Sequence, residues 1–145
     1  FFACLSLTAI ALLPTLFYFY SVYQLGAPVG NIDTGAVMGS YIGLLFLAAA
    51  CTSIGLFSSA ISRNQIIAFL LAICLIFIFY YGFYFFSKLP IFFGKTDDII
   101  QRIGMDFHYN SISRGSLDSS DIIYFFSLIG FFIWLNISWL KNRFF

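Results

Sequence analysis

The side chains that could carry out chemistry are few and scattered. The only histidine, His108, stands beside Tyr109; the cysteines Cys4, Cys51 and Cys74 lie inside apolar runs; the acidic residues are Asp33, Asp97, Asp98, Asp106, Asp118 and Asp121. Nucleophilic catalysis needs a serine, cysteine or threonine within reach of a base, and a metal site needs several ligands. Ser58 and Ser59 fall near the far end of an apolar stretch, across the chain's layout from His108. No CxxC, GxSxG, HExxH or GxxxxGK[ST] pattern occurs, so neither a redox or zinc motif, a serine elbow nor a phosphate loop is encoded. The chain reads as non-catalytic, with no catalytic, cofactor-binding or metal-ligating residue. The cysteines read as small apolar packing residues, and His108 as a hydrogen-bonded surface residue.

What remains is a problem of position and packing. Of 145 residues, 61% are hydrophobic, 22% aromatic and 9% charged, with a mean hydropathy of +0.97; soluble domains carry about 25% charged residues. The charges bracket uncharged stretches long enough to cross a bilayer. A soluble globule is excluded, and a net charge of +1 without clustered Lys or Arg excludes nucleic acid as a partner. The pattern predicts an all-α polytopic transmembrane bundle in one domain, with the lipid bilayer as its surroundings. Its four spans lie at about 1–23, 35–61, 66–86 and 122–140, with an outer insertion at about 87–121. Pro14 should kink the first span. No ionisable residue lies inside a span, which argues against proton or ion relays and voltage sensing. The start, Phe1-Phe2-Ala3, has neither an initiator Met nor a basic n-region, so the chain is expected to be cut from a longer protein.

Basic residues orient the spans. Arg63, Lys141 and Arg143 crowd into the turn 62–65 and the tail, whereas Lys88, Lys95, Arg102 and Arg114 are diluted over a long segment. The turn and the C-terminus should face the cytoplasm. Tyr80, Tyr81 and Tyr84 then gather at the outer end of the third span, either as an aromatic belt at the headgroups or as the lining of an outer cavity for a polar or amphipathic substrate. The second span repeats small residues at a spacing of four: Gly35, Gly39, Gly43 and, after Leu47, Cys51, Gly55 and Ser59. Such a flat stripe predicts close approach of another backbone, within the chain or between subunits. In the insertion, Thr96 reads as the N-cap of an amphipathic helix over 96–107. Asp97 and Asp98 would sit in its first turn, with Ile99, Ile100, Ile103 and Phe107 on one face. Residues 111–115 then lead to the polar cap 118–121 of the last span. The insertion is either a lid folded onto the outer mouth or a solvated connector.

The stretches VYQLGAPVGNIDTGAVMGSYIGLLFL, SRNQIIAFLLA and FHYNSISRGSLDSSDIIYFFS, in this span order, resemble the C-terminal four spans of the ABC-2 type transporter permease family, and within it the gliding-motility-associated permease subunits. The resemblance implies a six-span exporter subunit in the bacterial cytoplasmic (inner) membrane, with its first two spans and main coupling segment upstream of Phe1. It further implies a separate ABC ATP-binding subunit that holds ATP and Mg, and a second membrane subunit. Arg63 becomes a candidate secondary contact with that ATPase; the plainer reading is a topology-setting charge. The alternative function is a non-transporting, anchoring component of a motility or secretion machine.

Overall fold

A computed structural model describes residues 1–28, 30–88, 99–116 and 118–144, with side chains as far as residue 142. The elements are α1 (Phe2–Leu25), α2 (Thr34–Ile61), α3 (Gln65–Phe77) running through a π-helical turn (Ile78–Gly82) into α4 (Phe83–Ser87), then α5 (Met105–Ser113) and α6 (Ser119–Phe144). Among the described residues there is no strand, and the fold is an all-α bundle. Phe2–Leu25, Thr34–Ile61, Gln65–Ser87 and Ser119–Asn142 are each long and apolar enough to span a membrane.

Local chemistry sets the ends of these helices. Asp33 opens α2 by accepting the Ala36 N–H at 3.1 Å, and Asn64 opens α3 by accepting the Ile66 N–H at 3.0 Å. Both satisfy backbone donors that a helix N-terminus leaves orphaned. Between α2 and α3 only residues 62–64 turn, one fewer than expected. Ser62 Oγ accepts from the Asn64 N–H at 3.2 Å and donates to Asn64 O at 3.1 Å, so the turn is stapled. Pro14 does not end α1, which continues from Phe2 to Leu25. Beside it the Thr15 hydroxyl donates to Leu12 O at 2.6 Å and accepts from Tyr41 at 2.9 Å, which ties α1 to α2.

The centre of the bundle is the pair α2 and α6, with α3 against α2 on one side and α1 against α2 on the other. Ala49, Ala50 and Ile54 of α2 meet Phe125, Leu128, Ile129 and Phe132 of α6. The rings interlock: Phe46 packs on Phe125 and Phe126 at 5.9 and 5.7 Å, and Phe132 on Phe57 and Phe79 at 5.8 and 5.3 Å. Such pairs add about 0.5–1.5 kcal/mol each beyond their burial. By contrast α1 buries no residue and turns Leu7, Ile10 and Phe17 outward, which costs nothing where the solvent is itself hydrocarbon.

The insertion departs from its expected form. Instead of one helix over 96–107, residues 99–101 are helical and the Gly104 N–H closes a turn onto Gln101 O at 3.0 Å; α5 then starts at Met105. Thr96, Asp97 and Asp98 lie outside the described residues. Residues 111–113, expected in a linker, form the last turn of α5. Its buried face is Met105, His108 and Ile112, while Ile99, Ile103 and Phe107, expected inside, are exposed. The choice of face follows steric fit rather than apolarity, because exposed apolar side chains are penalised in water but not beside lipid.

Candidate functional site

The elements converge at the end of the bundle where α2 and α6 begin and α4 finishes. There α5 lies across the opening, its N-terminal end beside the π-turn and its C-terminal end on α2: Gly104 abuts Phe83 and Tyr80, and Ile112 abuts Gly39 and Gly43. Two glycines of α2 admit it. A Cβ on Gly39 would collide with Ile112 O, and one on Gly43 would stand 3.2 Å from Ile112 Cγ2 and 3.3 Å from the Tyr109 ring. The Ser40 hydroxyl adds a contact to Ser113 O at 3.3 Å. Past α5, Gly115 turns the chain with φ +85°, and its Cα faces the Gly35 backbone so closely that a Cβ there would lie 3.2 Å from Gly35 C. Only glycine meets both demands without strain.

A buried polar cluster fastens α5 to α6. His108 Nδ1 lies 2.6 Å from Asp121 Oδ1 and Nε2 lies 2.8 Å from Arg102 O. Both ring nitrogens thus face oxygen atoms, one of a carboxylate and one of a backbone carbonyl. The ring stacks on Tyr124 at 4.0 Å between centroids, and the Tyr124 hydroxyl donates to Ile103 O at 2.6 Å. Asp121 stands in the first turn of α6, where the helix dipole favours a carboxylate; its Oδ2 is buried without a partner among the described residues. His108 is thus a buried clamp, not the surface residue expected, and Asp121 is drawn inside the end of the last span. The D-x-x-Y spacing of Asp121 and Tyr124 on one helical face was a readable signal, but its partner thirteen residues upstream was not.

Beside α5 and away from this clamp lies a cavity of about 430 Å³, lined with mixed polarity by residues of the π-turn, α4 and α5. Tyr80 and Tyr84 form one wall, and Asp106, Asn110 and Arg114, four residues apart, line the other. The Tyr80 hydroxyl stands near the Asp106 carboxylate, which accepts from Asn110 Nδ2 at 3.0 Å. Tyr81 does not line it and is exposed on the outer surface of its helix. Helical spacing accounts for this split: Tyr80 and Tyr84, four residues apart, share a face, and Tyr81 points about 100° away from Tyr80.

Two expected site residues lie elsewhere. Arg63 is exposed at the apex of the stapled turn, at the opposite end of the bundle. Gly55 faces open space, with nothing within 4 Å of a Cβ built on it. A spacing of four does not hold a face: each step turns about 40° round the helix, so Gly55 points about 160° away from Gly39. The close backbone contact therefore belongs to Gly35, Gly39 and Gly43, and its partner is α5 with Gly115, not another span. Among the described residues no group of three His, Cys, Asp or Glu is placed to hold a metal ion. No protein-family model, curated protein or solved structure matches this chain.

Proposed function

We propose that this chain belongs to the membrane permease subunit of an ABC-2 type exporter, set in a bacterial inner membrane, energised by a separate ATP-binding subunit and belonging to the gliding-motility branch that the sequence resembles. The observation that carries the reading is the division of labour between the ends of the bundle. One end is a short stapled turn and the other a polar cavity roofed by a helix, and α2 joins them directly. Gly39 and Gly43 fix α5 to α2, and His108 fixes it to α6, so a displacement of α2 at the turn moves a wall of the cavity. Alternating access needs two global states that a partner stabilises unequally; a rigid lever from turn to cavity supplies the coupling.

The competing reading is an anchoring component through which nothing passes. In its favour, the lining of the polar cavity stops at the insertion end of the bundle, and the described spans carry no charged side chain between the cavity and the turn. Purified full-length complex separates the two: substrate-stimulated ATP hydrolysis supports the exporter, and assembly indifferent to nucleotide supports the anchor.

Two further results are expected. Cysteine placed at Asn64 in a cysteine-free background stays unlabelled by a membrane-impermeant maleimide in intact cells, while cysteine at the exposed Asp118 labels; the reverse would invert the orientation drawn from the basic residues. Arg63→Glu with topology retained lowers co-purification of the ATPase several-fold, and Arg63→Lys does so less, unless the contact is a bidentate one that an ammonium cannot reproduce. Wild-type ATPase binding and export by Arg63→Glu would reduce the turn to a connector.

A further inference from the structure

The polar cavity contains two opposite charges that are not paired with each other. Asp106 accepts from a neutral donor, Asn110, and stands near the neutral Tyr80 hydroxyl, and among the described residues neither Asp106 nor Arg114 forms an ion pair. Their positions are eight residues apart along one side of α5 and its continuation, about 12 Å by helical rise. Flexible side chains reduce that gap to the length of a small dipolar group. A simple anion in this space would face the Asp106 carboxylate, and a simple cation the Arg114 guanidinium. A group carrying both signs satisfies both.

We propose that this cavity binds the headgroup of a phospholipid bearing a primary ammonium and a phosphate, of the phosphoethanolamine class. The ammonium goes to the Asp106 end, where a carboxylate and the Tyr80 ring stand together; cations are held over aromatic faces as well as by carboxylates. Three N–H donors can serve Asp106 Oδ2, Asn110 Oδ1 and a ring face at once, which a trimethylated ammonium cannot do. The phosphate goes to Arg114, whose planar fork suits phosphate oxygens.

The surroundings specify a lipid rather than a free headgroup. Phe107 lines the cavity yet is exposed, and the neighbouring Ile103, Phe85 and Phe86 are exposed as well. A polar cavity opening onto apolar surface at the end of a membrane-spanning helix, Gln65–Ser87, is the shape of a site for an amphiphile whose chains stay in the bilayer. Nothing in this assignment depends on whether the protein exports, so it stands or falls apart from the proposed function.

The full-length protein in its complex, reconstituted in nanodiscs containing equal parts of phosphatidylethanolamine, phosphatidylcholine and phosphatidylglycerol, is delipidated stepwise and the retained lipid counted by native mass spectrometry. Phosphatidylethanolamine should be retained about tenfold over the other two, the ratio expected of one charge-assisted contact. Asp106→Asn should bring it down to the phosphatidylcholine level, and Arg114→Gln should weaken retention of both. Equal retention of the three lipids, a preference for phosphatidylglycerol, or variants indistinguishable from wild type would overturn the site. Displacement of the lipid by millimolar soluble phosphoethanolamine would overturn the assignment to a lipid and leave a soluble ligand. Should Asp106→Asn fail to fold, a photocrosslinking residue at Phe107 in the otherwise unaltered chain decides the matter: adducts with phosphatidylethanolamine above its mole fraction support the site, and adducts in proportion to composition refute it.

Discussion

Gly39→Leu prevents accumulation of the folded protein, whereas Gly55→Leu leaves it near the wild-type level. At Gly39 even a methyl group would run into a backbone atom, Ile112 O, with the Gly115 Cα 3.0 Å away. Backbone cannot swing aside as a side chain can, so α5 would have to lift from α2. Overpacking typically costs about 1–3 kcal/mol, and against rigid backbone we expect the upper end or more. Lifting α5 would also draw His108 away from Asp121 and open the Ser40 to Ser113 contact, so the losses compound. At Gly55 a larger side chain enters open space. Leu45→Phe is also tolerated, because Leu45 borders an apolar space of about 830 Å³ between α1, α2 and α6. Size-exclusion profiles and thermal unfolding in detergent measure all three variants. Equal tolerance at positions 39 and 55 would mean that α5 does not rest on α2.

That pair of glycines also marks how far the sequence could be read. Hydropathy along the chain has one dimension, and the number, order and approximate limits of the spans follow from it because hydrocarbon thickness imposes a length. Which face of a helix meets which neighbour is a question of angle. Small residues every four positions look like one stripe on the page, but helical geometry winds them round the axis. The same limit applies to the helix of the insertion. Ile99, Ile103 and Phe107 mark an apolar face, and in water that face would be buried. At a membrane surface it need not be, and the face that packs is the one carrying Ile112 and Tyr109 onto glycine. Tyr80 and Tyr84 can be placed together at one end of a span, and their spacing sets Tyr81 on a different face, but nothing in that spacing says that Asp106 stands opposite them. The polar roof is illegible in the sequence for a further reason. A single histidine among many apolar residues has no pattern, and its partner Asp121 reads as part of a polar cap that opens the last span.

His108→Ala is expected to destabilise the protein by about 3–5 kcal/mol, the cost of leaving a buried charge unpaired. The Asp121 carboxylate would then lack a partner on either oxygen, since Oδ2 already has none among the described residues. Replacing both partners removes the stranded charge, so His108→Leu with Asp121→Leu should recover a large part of the loss. The double variant is the informative member of the set. If the cluster merely contributed packing, two substitutions would cost more than one; if its cost when broken is electrostatic, the double variant is the more stable of the two. Tyr124→Phe isolates the third component, the hydroxyl that holds Ile103 O, and should cost about 1 kcal/mol. Combined with His108→Ala it should be less than additive, because the ring that stacks on Tyr124 is then gone and the residues form one network. Unfolding in detergent gives the energies, and maleimide access to a cysteine at Met105, on the buried face of α5, reports whether the helix has lifted. A His108→Ala protein with wild-type stability and an inaccessible residue 105 would show that α5 is held by its contacts with α2, and that the clamp to α6 contributes nothing to closing this end of the bundle.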